Sequence, residues 1–234
     1  MRSCGAWPPA SARCRWARPG RSAGGSRPRS TPPTGATATA LDVDEADARR
    51  TARAMYRHLG LMLAEFPRLQ RMTPETAEAW VEWGDAPDVA RRLLDEGRGL
   101  IYVTGHISNW EACGSAWAAK GLVRGAIARP LDNPHLDRWV RSVREASGQA
   151  IWDKFGALRE ALRTLRDGGA FGVLMDQDGG KDGVFATTFF GRPCSTWPTV
   201  ADLAIRTGAP ILTACVHRIA PMRFRVARAQ PFRA

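Results

Sequence analysis

The chain has 234 residues and a formal net charge of +11, from 34 Lys or Arg against 23 Asp or Glu. That length suits one sizeable α/β domain with a buried core. The charge lies in the ends: residues 1–40 hold seven Arg and no acid and residues 215–234 five Arg and no acid, leaving −1 for residues 41–214, a near-neutral body that argues against a nucleic-acid-binding domain. Basic ends attract anionic phosphate on lipid or nucleic acid alike. Five scattered cysteines without C-x-x-C spacing indicate neither a disulfide framework nor a zinc site, and fit a reducing compartment. No apolar run approaches the ~18–20 residues that span a bilayer. The N-terminus has arginines but no continuous apolar region, so a secretory signal is not expected, while peripheral membrane contact stays open.

Residues 1–40 are rich in Arg, Pro, Ser, Gly and Ala, hold six of the sixteen prolines, and show neither helical nor strand periodicity. They read as a disordered Arg/Pro-rich tail. A start assigned too far upstream and an organelle transit peptide are the other readings. Order is expected from Leu41. Met55, Leu59, Met62, Leu63 and Phe66 form one stripe of an amphipathic helix, which either packs on the core or lies on a membrane face. Pro67 stops or kinks it.

Further along, Asp88–Glu96 reads as a helix ended by Gly97 and Gly99, and Leu100–Val103 as a buried strand. A helix over Trp110–Lys120 stops at Gly121, and Leu122–Ala128 is a second strand. Pro134–Ala146 follows as a helix with Leu136, Val140 and Val143 on one face. Another helix, Leu158–Leu165, precedes a strand at Phe171–Met175. Phe185–Phe190 alternates as a strand, Pro198–Arg206 is helical, and Ile211–Val216 and Met222–Val226 are the last strands. Alternating strands and helices predict an α/β layered domain with a mostly parallel central sheet flanked by helices.

The chemistry concentrates in Gly105-His106-Ile107-Ser108-Asn109-Trp110-Glu111. An imidazole at a strand-to-helix turn is a ready general base, and it needs a partner to fix its tautomer. Glu111 can serve if the chain folds back at the helix start. The competing reading makes Ser108-Asn109-Trp110-Glu111 a capping box, with Ser108 as N-cap and Glu111 satisfying a backbone N–H. Arg129 either binds an anion or developing oxyanion, or is a surface arginine paired with Asp132. Asp176-Gln177-Asp178 at a strand end either holds substrate or fixes the turn. A metal there lacks a third ligand cluster. Phe185, Phe189 and Phe190 line an apolar groove or are plain core.

Taken together these segments resemble a known family. Gly105–Glu111 looks like the H-x4-D/E block of the lysophospholipid acyltransferase superfamily, and more narrowly the G-H-x-x-N-W-E block of the late lipid A biosynthesis acyltransferases, of lauroyl or myristoyl transferase type. Arg129-Pro130-Leu131-Asp132-Asn133-Pro134-His135-Leu136-Asp137 resembles the family's R-P-x-x-N-P-x-L-D block. Asp176-Gln177, Phe189-Phe190-Gly191 and Leu203–Pro210 resemble blocks that follow in the same order. The resemblance implies a glycerol-phosphate-acyltransferase-like fold over residues 41–234. It implies transfer of a fatty acyl chain from acyl carrier protein, or another acyl thioester, to a hydroxyl of a lipid A precursor, with no cofactor and no metal. His106 would be the base and Glu111 its orienter, and Arg129, Asn109, Asp176 and Gln177 would bind substrate. The expected place is the cytoplasmic face of the cell inner membrane, held peripherally. Another glycolipid acceptor, such as a phosphatidylinositol mannoside, fits the same motifs. An inactive relative that binds membrane or nucleic acid is the alternative of a different class. The family's N-terminal anchoring helix has no visible counterpart, and a chain truncated at its C-terminus is expected.

Overall fold

Short apolar runs separated by amphipathic helices build this chain into a layered α/β structure. The computed structural model describes residues 33–153, 156–179 and 185–233. Its N-terminal part is helical: α1 (Pro33–Leu41), α2 (Glu45–Glu65), a 3-10 turn (Phe66–Arg71) and α3 (Pro74–Trp80) precede the short strand β1 (Val81–Glu82). There follow α4 (Ala86–Asp95), β2 (Leu100–Thr104), α5 (Trp110–Ala119), β3 (Gly125–Ala128), α6 (Pro134–Glu145), β4 (Ala150–Asp153), α7 (Ala157–Arg166) and β5 (Ala170–Leu174). The chain closes with β6 (Phe185–Phe189), β7 (Arg192–Thr196), α8 (Thr199–Thr207), β8 (Ile211–Ala220) and β9 (Arg223–Arg228).

Seven strands form one sheet in the order β1-β9-β8-β2-β5-β3-β4, parallel throughout except where β8 and β9 run antiparallel. The strands β6 and β7 make a separate antiparallel hairpin. At the centre, β2 has β5 on one side and β8 on the other, so its side chains are buried on both faces. Leu100 and Ile101 are fully buried. Successive strand side chains point to opposite faces. Tyr102 joins Trp117 of α5, Leu93 of α4 and Val143 of α6 in one cluster. Ile101 joins Leu165 of α7 and Leu203 of α8 in the other.

The mostly parallel sheet between helices agrees with the sequence expectation, and several elements differ from it. Residues 33–40, taken as the end of a disordered tail, belong to α1, while residues 1–32 lie outside the described residues. The stripe on α2 is not a core face. Met62 and Phe66 are buried, but Met55, Leu59 and Leu63 are exposed, because α2 seats itself through the small residues Ala48 and Ala52 and through its last turn. On α6, Val143 is buried but Leu136 is exposed. Helix α3 and strands β1, β4 and β7 were not anticipated. Helix α3 does carry a start signal in Thr73-Pro74-Glu75-Thr76. The Thr73 hydroxyl accepts from the Thr76 N–H at 3.2 Å, and the Thr76 hydroxyl accepts from the Thr73 N–H at 2.6 Å.

Candidate active site

The two central parallel strands bring the site together. In the register of β2 against β5, Thr104 lies opposite Leu174, and the Met175 N–H extends the ladder to the Thr104 carbonyl at 3.0 Å. Two residues beyond each strand end stand His106 and Asp176. This is the carboxyl edge of a parallel sheet, where open α/β folds bind their ligands. The Asp176 carboxylate takes two hydrogen bonds from His106: the backbone N–H donates to Oδ2 at 2.6 Å, and ring Nδ1 meets Oδ1 at 2.8 Å. Partial burial pushes the Asp176 carboxyl up, but the ring and backbone N–H of His106 outweigh it and hold the group below its ordinary 3.8. An ionised carboxylate only accepts, so Nδ1 carries a proton, and in the neutral ring the lone pair is on Nε2.

The turn between β2 and α5 is shaped for this approach. A Cβ at Gly105 would stand 3.0 Å from Asp176 Oδ2 and 3.1 Å from its Cγ, so only glycine admits the carboxylate without displacement. The chain turns sharply there, with the Ile107 N–H bonded to the Gly105 carbonyl at 2.7 Å, and Ser108 sits in the left-handed region at φ +53°. The Trp110 indole packs edge-on against the His106 ring, with centroids 4.9 Å apart.

Three expectations for this block are corrected. Glu111 does not orient His106. Its carboxylate is clamped by Arg144 of α6, Nε to Oε2 at 2.9 Å and a terminal nitrogen to Oε1 at 2.6 Å, and also accepts from the Trp110 indole at 3.2 Å. Nor does Ser108 cap α5: Asn109 does, its Oδ1 accepting from the Ala112 N–H at 2.9 Å. The third is Asn109: expected to bind substrate, it is fully buried, and its amide nitrogen donates to Glu65 Oε2 at 2.9 Å. Glu65, buried at the end of α2, also accepts from Arg218 and from the Met222 N–H at 3.0 Å. Burial pushes the Glu65 carboxyl up, but these donors bring it below its ordinary 4.5.

A cavity of about 490 Å³ opens beside His106. Glu111, Arg129 and Arg144 line it together with Tyr102, Trp117, Ile127 and Ile151. Arg129 is exposed and bonds Asp132 at 2.9 Å, so the partly buried cation facing this cavity is Arg144. A second cavity of about 520 Å³ lies beside Asp176 under the β6–β7 hairpin, bordered by Met175, Phe189, Cys194 and Cys215. Gln177 borders both. Asp178 receives the Ser195 hydroxyl at 2.5 Å, tying the loop after β5 to β7. Among the described residues no three His, Cys, Asp or Glu are grouped to hold a metal ion.

A family model described as bacterial lipid A biosynthesis acyltransferase matches residues 41–227, most of the chain. The chain belongs to that family. No curated protein matches it. In this acyltransferase the block from Gly105 to Glu111 and the Asp176-Gln177 pair meet at one sheet edge. Arg144 and Glu65 went unseen in the sequence. Arg144 has no signal beyond its helix. Glu65 had one, since an acid three residues after Met62 and next to Phe66 falls on the helix's own apolar face.

Proposed function

We propose that this acyltransferase moves a fatty acyl group from a thioester, with acyl carrier protein as the carrier, to a hydroxyl of a lipid A precursor, using His106 as general base and Asp176 as its orienter. The observation that carries this reading is the 2.8 Å contact between Asp176 and Nδ1 of His106, a residue that lines the cavity of about 490 Å³. The cavity takes the donor chain, and the thioester carbonyl sits at its rim. The acceptor hydroxyl attacks the carbonyl carbon while its proton passes to His106 Nε2. The C–O bond forms, and the carbonyl electrons move onto oxygen. Arg144, held partly buried by Glu111, faces that developing charge. Collapse of the intermediate breaks the C–S bond, and the imidazolium returns the proton to the departing sulfur. Asp176 stays ionised and stabilises the imidazolium between the two transfers.

Peripheral attachment to the cytoplasmic face of the inner membrane is part of the proposal. The exposed apolar side chains of α2, Met55, Leu59 and Leu63, support it, as does a substrate that resides in lipid. No helix among the described residues is long and apolar enough to cross a membrane. The test is acyl transfer by the purified chain from acyl carrier protein thioester to a lipid A precursor, beside His106→Ala. Loss of transfer in a folded variant is expected. Near-normal transfer would remove His106 from the role of base.

A further inference from the structure

The donor chain fills one of two cavities that adjoin the His106–Asp176 pair. His106 lines the cavity of about 490 Å³, Asp176 lines the cavity of about 520 Å³ under the β6–β7 hairpin, and Thr104, Gln177 and Ala214 line both. The second cavity is of a size that takes a small ligand, and its lining surface is mostly apolar. Among the described residues, the charged groups that line it are Asp176 and Asp178, both carboxylates. Asp176 accepts from His106 and Asp178 from Ser195. Arg129 and Arg144 line the first cavity, not this one. Carboxylates with no lining cation repel phosphate, so an anionic headgroup is disfavoured there. An uncharged hydrocarbon chain meets no such opposition and gains from leaving water.

Two of the lining side chains also reach the surface: Ile107 is 51% exposed and Phe189 61%. Phe190, exposed in the same turn, packs edge-on against Phe189 with ring centroids 4.6 Å apart. Trp197, just beyond β7, is exposed as well. Large apolar side chains that lead from the surface into a cavity suit a chain arriving from lipid. We infer that the cavity under the hairpin seats a hydrocarbon chain of the acceptor lipid, beside Asp176, while the donor chain occupies the other cavity. The inference rests on the reading of the first cavity as the donor site and of the acceptor as a lipid.

The experiment measures transfer by the purified chain to synthetic lipid A precursor analogues that share one headgroup and one reacting hydroxyl and carry chains of decreasing length. The value of kcat/KM is expected to fall about fourfold for each methylene lost from the seated chain. Cys194→Trp adds bulk at the cavity wall. It is expected to raise KM for the longest acceptor at least about tenfold while leaving KM for the acyl thioester within about twofold. Cys194 and Cys215 both line the cavity as free thiols, so the parent protein offers a second readout that needs no variant. The longest acceptor, near saturation, should slow alkylation of Cys194 by N-ethylmaleimide at least about fivefold, read by mass spectrometry, and the shortest should not. Transfer indifferent to chain length, with Cys194 unprotected, overturns the inference and leaves the base and the donor cavity standing. Protection by the acyl thioester instead of the acceptor also overturns it, because the cavity then holds the donor chain. Absence of transfer to every acceptor, with Cys194 still protected by the longest, removes the acyl-transfer reading and upholds the seat for a lipid chain.

Discussion

His106 and Asp176 are seventy residues apart in sequence and two positions past the paired residues Thr104 and Leu174 of neighbouring parallel strands. The sheet register, with the glycine at 105, therefore sets the imidazole against its carboxylate.

Asp176→Asn keeps size and shape but offers His106 an amide in place of an anion. The ring can then settle in the tautomer with its proton on Nε2. We expect kcat for acyl transfer to fall by about 10²–10⁴ with KM little changed. Steady-state kinetics beside circular dichroism checks this. Unchanged kcat would show that Asp176 does not orient the base.

Gly105→Ala places a methyl 3.0 Å from Asp176 Oδ2. The carboxylate must retreat, and the bond to the ring lengthens. Activity is expected to fall at least about tenfold, in line with the sensitivity of catalysis to small misplacements, while the melting temperature moves little. A variant as active as the parent would mean that the turn yields without disturbing Asp176.

Arg144→Met takes the cationic partner from the Glu111 side chain, which is only 11% exposed beside Arg144. We expect a stability loss of about 1–3 kcal/mol in urea denaturation together with a lower kcat. Arg144→Lys restores charge but not the two-pronged geometry, so part of the activity should return. Full recovery with lysine would show that charge alone matters there.

Glu65→Gln tests the buried junction between α2, α5 and the β8–β9 turn. It leaves the Arg218 guanidinium without its counter-charge in a buried place, and a loss of about 3 kcal/mol is expected. The folded-state carboxyl lies below its ordinary 4.5, because its donors outweigh the opposing burial. Its contribution is therefore full above that ordinary value and is lost as pH falls through the lowered folded-state value. The gap in melting temperature between parent and variant should narrow as the solution is acidified below pH 4.5. A gap independent of pH would mean that the carboxylate's charge plays no part.

The sequence made the strand before His106 and the one before Asp176 legible, since both are apolar runs closed by glycine turns. The contact between them was not, because no local pattern states which strands are neighbours. Proximity in sequence pointed to Glu111 as the partner, five residues on, yet a helix start carries that side chain away from the ring and toward α6. Asn109 enters as a substrate ligand only through the family resemblance, which says nothing of its burial. Here its amide is spent on a cap and on Glu65. On α2 the periodicity was legible but not its direction, since a stripe reads the same whether it faces protein or surroundings.

The backbone strain at Ser108 has one more consequence. A non-glycine residue at φ +53° stands directly before Asn109, whose amide is bound to Glu65. The turn that carries His106 is thus moored, through Asn109, to the last residue of α2. Heating or acid that loosens this mooring should silence the protein before its sheet melts, with inactivation preceding the loss of secondary structure.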